Sequence, residues 1–258
     1  MSTIALLSDI HANLVALEAV VVSLPRVDRI WVMGDSVGYG PDPSDVLALL
    51  RERDALVVAG NHDLAAATGE GLGMFNPYAA AAVRMHRSWL SAEERDHLAS
   101  LPLTAEAEGF TLCHGSLRDP VWEYVMSQGQ AAATLRLAKT PHCCNGHTHI
   151  PAMFRSSAAG ATRSAAEGYG LLAGKPLVAV PVPITIDAPL PLQGRLLVNP
   201  GSVGQPRDGD PRASYAVVDT DAGTITFRRA PYDVAATQRR MRSRGLPGML
   251  ADRLAIGF

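Results

Sequence analysis

Three short apolar runs in the first 63 residues are each followed within a few residues by a side chain that can bind a cation. Ile4-Ala5-Leu6-Leu7 leads into Ser8-Asp9-Ile10-His11. Ile30-Trp31-Val32-Met33 leads into Gly34-Asp35, and Leu56-Val57-Val58-Ala59 into Gly60-Asn61-His62-Asp63. Runs of this length are what buried strands give. Between them lie helical stripes: Leu14, Leu17, Val20, Val21 and Leu24 closed by Pro25, then Val46 to Leu50 after Pro-Asp-Pro-Ser. This βαβαβ order predicts an α/β fold with parallel strands and right-handed crossovers. Sites in open parallel sheets lie beyond the carboxyl ends of the strands, so the three polar clusters converge.

Two more clusters follow. Cys113-His114-Gly115 trails the strand-like run Phe110-Thr111-Leu112-Cys113, and Gly146-His147-Thr148-His149 comes later. Of eight histidines, five (His11, His62, His114, His147 and His149) fall in these clusters, a concentration that turn residues and core histidines would not produce. Oxygen and imidazole donors without thiolates suit a catalytic site for Mn, Fe, Zn, Co or Ni rather than a closed structural zinc. Seven candidate ligands (Asp9, His11, Asp35, Asn61, His114, His147, His149) exceed what one ion needs and fit two ions sharing a carboxylate, with Asp35 central. Two ions about 3.5–4 Å apart activate a bridging hydroxide for in-line attack on phosphorus and stabilise the oxyanions. The pattern reads as a phosphoesterase.

Taken together, Asp9-x-His11, Gly34-Asp35, Gly60-Asn61-His62-Asp63, His114-Gly115 and Gly146-His147-Thr148-His149 resemble the five motifs of the calcineurin-like metallophosphoesterases. The trailing Asn199-Pro200-Gly201-Ser202 is similar to that of their small bacterial and archaeal branch. The resemblance implies a four-layer α/β/β/α sandwich. It implies one ion on Asp9, His11, Asp35 and His149 and another on Asp35, Asn61, His114 and His147, Mn²⁺ being the first expectation. His62 would be the non-ligand histidine that protonates the leaving oxygen or holds the phosphate. One departure matters: Tyr39 stands where protein phosphatases and diadenosine tetraphosphate hydrolases of the superfamily carry a phosphate-gripping Arg. A dianionic monoester needs that charge more than a monoanionic diester does. The expected activity is therefore hydrolysis of small cyclic or nucleotide phosphodiesters. A phosphomonoesterase, a dinucleoside polyphosphate hydrolase and a nuclease are the alternatives. A metal-binding interaction scaffold is the non-enzymatic alternative, disfavoured because His62 and all seven ligand positions are intact.

Composition bounds the rest. A net charge of −2 with 19% charged residues argues against an extended nucleic-acid surface, and so against the nuclease. Three cysteines, two of them adjacent, form no disulfide framework and point to a reducing compartment. The start lacks a basic leader, and no apolar run approaches the roughly 20 residues of a bilayer span, so a cytoplasmic location is expected.

Elsewhere, residues 78–100 read as helical with a cap-like restart at Ser91-Ala92-Glu93-Glu94, Gln130 to Ala138 as a short helix, and Ser214–Val218 with Thr224–Phe227 as a hairpin. A polar-faced helix spans about 233–244. Residues 1–258 read as a single domain with an insertion or excursion at about 156–194, serving as a lid, an oligomer contact or a surface loop. Leu177 to Ile186 would suit a homodimer interface. Cys113, Cys143 and Cys144 are expected to be packing residues. Arg207, Asp208 and Arg212 either touch substrate or form a solvated turn. Arg239, Arg240, Arg242 and Arg244 form a helix face or, less favourably, a phosphate funnel.

Overall fold

In the computed structural model, which describes residues 2–158 and 177–258, two mixed six-stranded sheets stack face to face between helices. The strands are β1 (Thr3–Leu7), β2 (Arg29–Val32), β3 (Leu56–Val57), β4 (Thr104–Ala107), β5 (Phe110–Cys113), β6 (His142–Cys144), β7 (Ala152–Ala158), β8 (Leu177–Pro181), β9 (Pro189–Pro191), β10 (Leu196–Asn199), β11 (Ala213–Asp219) and β12 (Thr224–Ala230). The helices are α1 (Leu14–Ser23), α2 (Pro43–Glu52), α3 (Asn61–Thr68), α4 (Pro77–Trp89), α5 (Ala92–Ser100), α6 (Gln128–Leu137), α7 (Val234–Ser243) and α8 (Gly248–Asp252). One sheet runs β3-β2-β1-β11-β12-β9 and the other β4-β5-β6-β10-β7-β8. The expected parallel β1-β2-β3 unit is present, as is the hairpin, formed by β11 and β12.

Period-two alternation builds the layers. Ile4 and Leu6 of β1 meet Phe110 and Leu112 of β5 and Leu196 and Val198 of β10 in the core between the sheets. Ala5 and Leu7 face the other way, onto Leu17 and Val20 of α1. Cys113, Cys143 and Leu197 likewise turn outward onto Ala131 and Leu135 of α6. Trp31 and Phe110 meet edge to face at 5.5 Å across the inter-sheet core, and burial of each large apolar side chain stabilises by about 1.5–3 kcal/mol. The result is the α/β/β/α sandwich. All three cysteines are free, buried and part of this packing.

The restart expected within 78–100 is present and divides the stretch into α4 and α5: the Ser91 Oγ accepts from the Glu94 amide (3.1 Å) and the Glu94 carboxylate accepts from the Ser91 amide (2.7 Å). The structure adjusts other expected elements. The third strand stops after two residues because the Ala59 amide turns away to the Pro102 carbonyl, at 2.8 Å. The stretch 156–194 is largely sheet wherever it is described: β8 and β9 are edge strands, each paired on one side only. Pro181, Pro189 and Pro191 are tolerated there because an edge leaves amide positions unused. Residues 159–176 of that stretch lie outside the described residues. Among the described residues no helix is long and apolar enough to cross a membrane.

Candidate metal centre

The loops that leave β1, β2, β3, β5 and β6 gather at one end of the sandwich. They are stitched together by backbone bonds that prolong the β1–β2 pairing: Asp9 to Gly34 (3.0 Å), His11 to Asp35 (2.9 Å) and Ala12 to Ser36 (2.9 Å), with each amide donating to the second residue's carbonyl. Of the ten non-glycine residues with positive φ among those described, Asp9, His11, Asp35, His147 and His149 are candidate ligands. Backbone in this region is costly for side-chain-bearing residues and concentrates where a fold over-determines its functional groups.

All seven candidate ligands are buried and contiguous. His149 Nε2 lies 3.3 Å from Asp9 Oδ1 and 3.1 Å from His11 Nε2. His114 Nε2 lies 2.9 Å from His147 Nδ1 and 3.1 Å from Asn61 Oδ1. Asp35 Oδ2 stands between the two groups, 3.6 Å from His11 Nε2 and 3.4 Å from His114 Nε2. The other oxygen of each carboxylate is already committed. Asp9 Oδ2 accepts from the Ser8 hydroxyl (2.7 Å) and the His147 amide (3.0 Å), and Asp35 Oδ1 accepts from the His62 amide (2.9 Å) at the start of α3.

Whether these donors fit cations is decided by where the imidazole protons sit. His11 Nδ1 donates to the Val37 carbonyl (3.0 Å), His114 Nδ1 to Met33 (2.7 Å), His149 Nδ1 to Gln205 (2.6 Å) and His147 Nε2 to Trp122 (3.2 Å). A carbonyl only accepts, so in each neutral ring the inward nitrogen is a bare lone pair. Burial holds His11 and His149 well below the usual imidazole range and takes His147 down to about 3, so these rings are neutral at neutral pH; His114 is the exception, since Asp35 overcomes the effect of burial and carries it up to about 9. With Asp9 ionised, two bare nitrogens 3.1 Å apart face a buried Asp9 Oδ1 that has no hydrogen-bond partner among the described residues, and there is no donor between them. A cation satisfies that arrangement. Burial opposes ionisation of Asp35, yet His114 and His62 hold it far below the usual carboxylate range. Burial lifts Asp9 to about 7.

His62 is buried beside the cluster, its ring 4.8 Å from His11, 4.5 Å from Tyr39 and 4.7 Å from Phe75. Its Nδ1 has no partner among the described residues. The ring lies over Gly38 (φ +91°), where a Cβ would come within 2.3 Å of His62 Nδ1, so position 38 takes only glycine.

Several supporting residues act through backbone contacts, a role that residue type alone does not reveal even where, as at Asp63, Asn199 and Ser202, the residue lies in a motif. The Asp63 carboxylate accepts from the Val37 and Gly60 amides, both at 3.0 Å, and fixes the turn into α3. Asn199 Nδ2 donates to the Gly146 carbonyl (2.7 Å) and the Ser202 hydroxyl to the Asp9 carbonyl (2.7 Å), so the Asn-Pro-Gly-Ser loop braces the ligand turns. His86 Nδ1 accepts from the Gly38 amide (2.9 Å) while Nε2 donates to the Gly40 carbonyl (2.7 Å), pinning both flanks of Tyr39.

Burial takes His86 down to about 3, with small additions from His62 and Arg244. The neutral ring's contribution to stability is therefore complete above its unfolded value near 6.5 and is lost as pH falls towards 3, a change of about 5 kcal/mol. His86→Gln, which keeps one donor and one acceptor, is expected to flatten the melting temperature against pH below 6.5. Parallel thermal melts of variant and parent check this.

The arginines divide cleanly. Asp208 pairs with Arg229, and Arg212 with Asp210. Arg239, Arg240 and Arg242 pair with Asp233, Asp42 and Asp252, and Arg244 lies 5.1 Å over the Trp89 ring. The C-terminal arginine run is thus occupied by its own contacts. Arg207 alone of these approaches the metal centre, its guanidinium 5.8 Å from the centre of the Tyr39 ring. The positive charge missing at position 39 is therefore present nearby, and the charge argument for diesters weakens.

Comparison with known proteins agrees with this geometry. A protein of Methanocaldococcus jannaschii described as uncharacterized is 33% identical over 99% of this chain and 98% of its own length. A metallophosphoesterase from Sphaerobacter thermophilus of known crystal structure is 40% identical, covers 100% of this chain and 99% of its own, and superposes with a TM-score of 0.83. A symmetrical bis(5'-nucleosyl)-tetraphosphatase of Vibrio campbellii is 27% identical over 53% of each chain. Residues 2–223 match the model of the calcineurin-like phosphoesterase superfamily domain, and with the two stacked sheets and their convergent loops this makes the chain a member of that superfamily.

Proposed function

We propose that this protein is a dinuclear metal-dependent hydrolase of small phosphodiesters, nucleotide or cyclic, with one ion on Asp9, His11, Asp35 and His149 and the other on Asp35, Asn61, His114 and His147. Mn²⁺ is the expected ion, and Fe, Zn, Co or Ni suit the same donors. The observation that carries the reading is the convergence of the bare His11 and His149 nitrogens on an unpartnered Asp9 carboxylate oxygen, with the Asp35 carboxylate standing between them and His114. Two such ions supply Lewis-acid activation of water and charge for the phosphoryl oxygens. Asp35, held ionised and shared by both groups, offsets their charge. His62, its Nδ1 unpartnered among the described residues, is the group within reach of the departing oxygen.

The preference for diesters rests on the aromatic surface beside the centre. Tyr39 and Phe75 flank His62, Trp122 lies 5.3 Å from Phe75, and Tyr124 stacks on His147 at 3.8 Å. A diester phosphorus bears a second organic arm to lay on that surface; a simple monoester bears one. Dinucleoside polyphosphate hydrolysis is the second reading, favoured by the Vibrio relative's name and by the same aromatic surface.

Metal-stripped protein should hydrolyse a chromogenic diester faster than its monoester only after Mn²⁺ is added. A preference for the monoester, or for diadenosine tetraphosphate, would sink the diesterase. His62→Asn should lower kcat about 10²-fold with unchanged Mn²⁺ content, in line with a proton donor or positioning group at the leaving oxygen.

A further inference from the structure

Arg207 is a half-buried guanidinium with no carboxylate partner among the described residues. Its backbone amide donates to the His149 carbonyl (3.2 Å), which anchors it directly beside a candidate ligand. Nη2 donates to Gln205 Oε1 (2.9 Å) and lies 3.5 Å from the Tyr39 hydroxyl. Nε is buried without a hydrogen-bond partner among the described residues. Charged groups withdrawn from water are normally paired. Here the neighbouring acids choose other arginines, although Asp208 is adjacent in sequence. The guanidinium is thus held by a phenol and an amide, neither of which neutralises it, at the edge of the candidate metal centre.

We infer that Arg207 grips the non-bridging oxygens of the scissile phosphoryl group, reaching the centre from the loop after β10, with the Tyr39 hydroxyl and the Gln205 amide as its posts. The inference rests on the phosphoesterase reading for its substrate but has its own measurement. A forked guanidinium matches a phosphoryl group with two parallel hydrogen bonds, which an ammonium does not. Tyr39 acquires a role as well: it replaces a cation at its own position and holds one supplied from elsewhere.

The test is orthophosphate binding to Mn²⁺-loaded protein by titration calorimetry, with kcat and KM for a monoester and a diester beside it. Arg207→Gln should weaken orthophosphate about 10- to 100-fold, the usual worth of a hydrogen bond to a charged group. It should raise KM more for the dianionic monoester than for the diester, and Arg207→Lys should recover part of both losses. Melting temperature and Mn²⁺ content qualify each variant. Where the glutamine form does not keep two ions, the lysine form is read instead. Wild-type orthophosphate affinity in the qualified variant overturns the inference whatever the turnover. Arg207-dependent phosphate binding in a protein that hydrolyses neither ester upholds the grip and sinks the phosphoesterase reading alone.

Discussion

Asp35→Asn is expected to lose both ions and to lower kcat/KM by at least about 10³-fold, since no other group in the site can serve two cations and offset their charge. The substitution is nearly isosteric. An amide oxygen can keep the bond that Asp35 Oδ1 accepts from the His62 amide. The new NH₂ group would sit where Oδ2 now stands, 3.6 Å from His11 Nε2 and 3.4 Å from His114 Nε2, and can donate to either nitrogen. The variant should therefore fold, and without metal it should melt no lower than the metal-free parent. Inductively coupled plasma mass spectrometry with steady-state kinetics checks both halves. Two retained ions, or activity within tenfold of the parent, would remove Asp35 from the bridging position.

Adding Mn²⁺ to stripped protein is expected to raise the melting temperature by about 10–20 °C. The centre assembles only in the folded chain, so an ion present at 100 times its dissociation constant stabilises by about 2.7 kcal/mol, and two by about 5 kcal/mol. For a chain of this size each kcal/mol is worth roughly 2–4 °C. Part of the gain is relief of the facing lone pairs at His11, His149 and Asp9 Oδ1, which no donor among the described residues satisfies. Scanning calorimetry with and without Mn²⁺ gives the number. Equal melting temperatures with metal bound would mean that the donors close on themselves without it.

How far the residues alone reveal this protein depends on what each one touches. The β1-β2-β3 unit and the convergence of its carboxyl ends were legible because buried parallel strands write themselves as continuous apolar runs. β4 was missed: its alternation Thr104-Ala105-Glu106-Ala107 is short and weakly apolar. β6 was missed as well, since its three residues (His142-Cys143-Cys144) include no strong strand former. β8 and β9 were hidden by edge prolines. In the site, the clustered ligands could be read from residue type. Arg207 could not be told from Arg212, because what separates them is which acid lies within reach after folding. His86 lies 48 residues from the amide it serves, in a helix that says nothing of the loop beneath it.

Asp9 and Asp35 follow strands of one sheet, whereas His114, His147 and His149 follow strands of the other. Ions held jointly by these donors, as proposed, would act as rivets through the open end of the sandwich. The sheets could not part there without releasing metal, so the lifetime of the folded chain, and not only its activity, would come under the control of metal supply. Where proteases attack chains that open transiently, a metal-starved copy would be cleared and a loaded one spared.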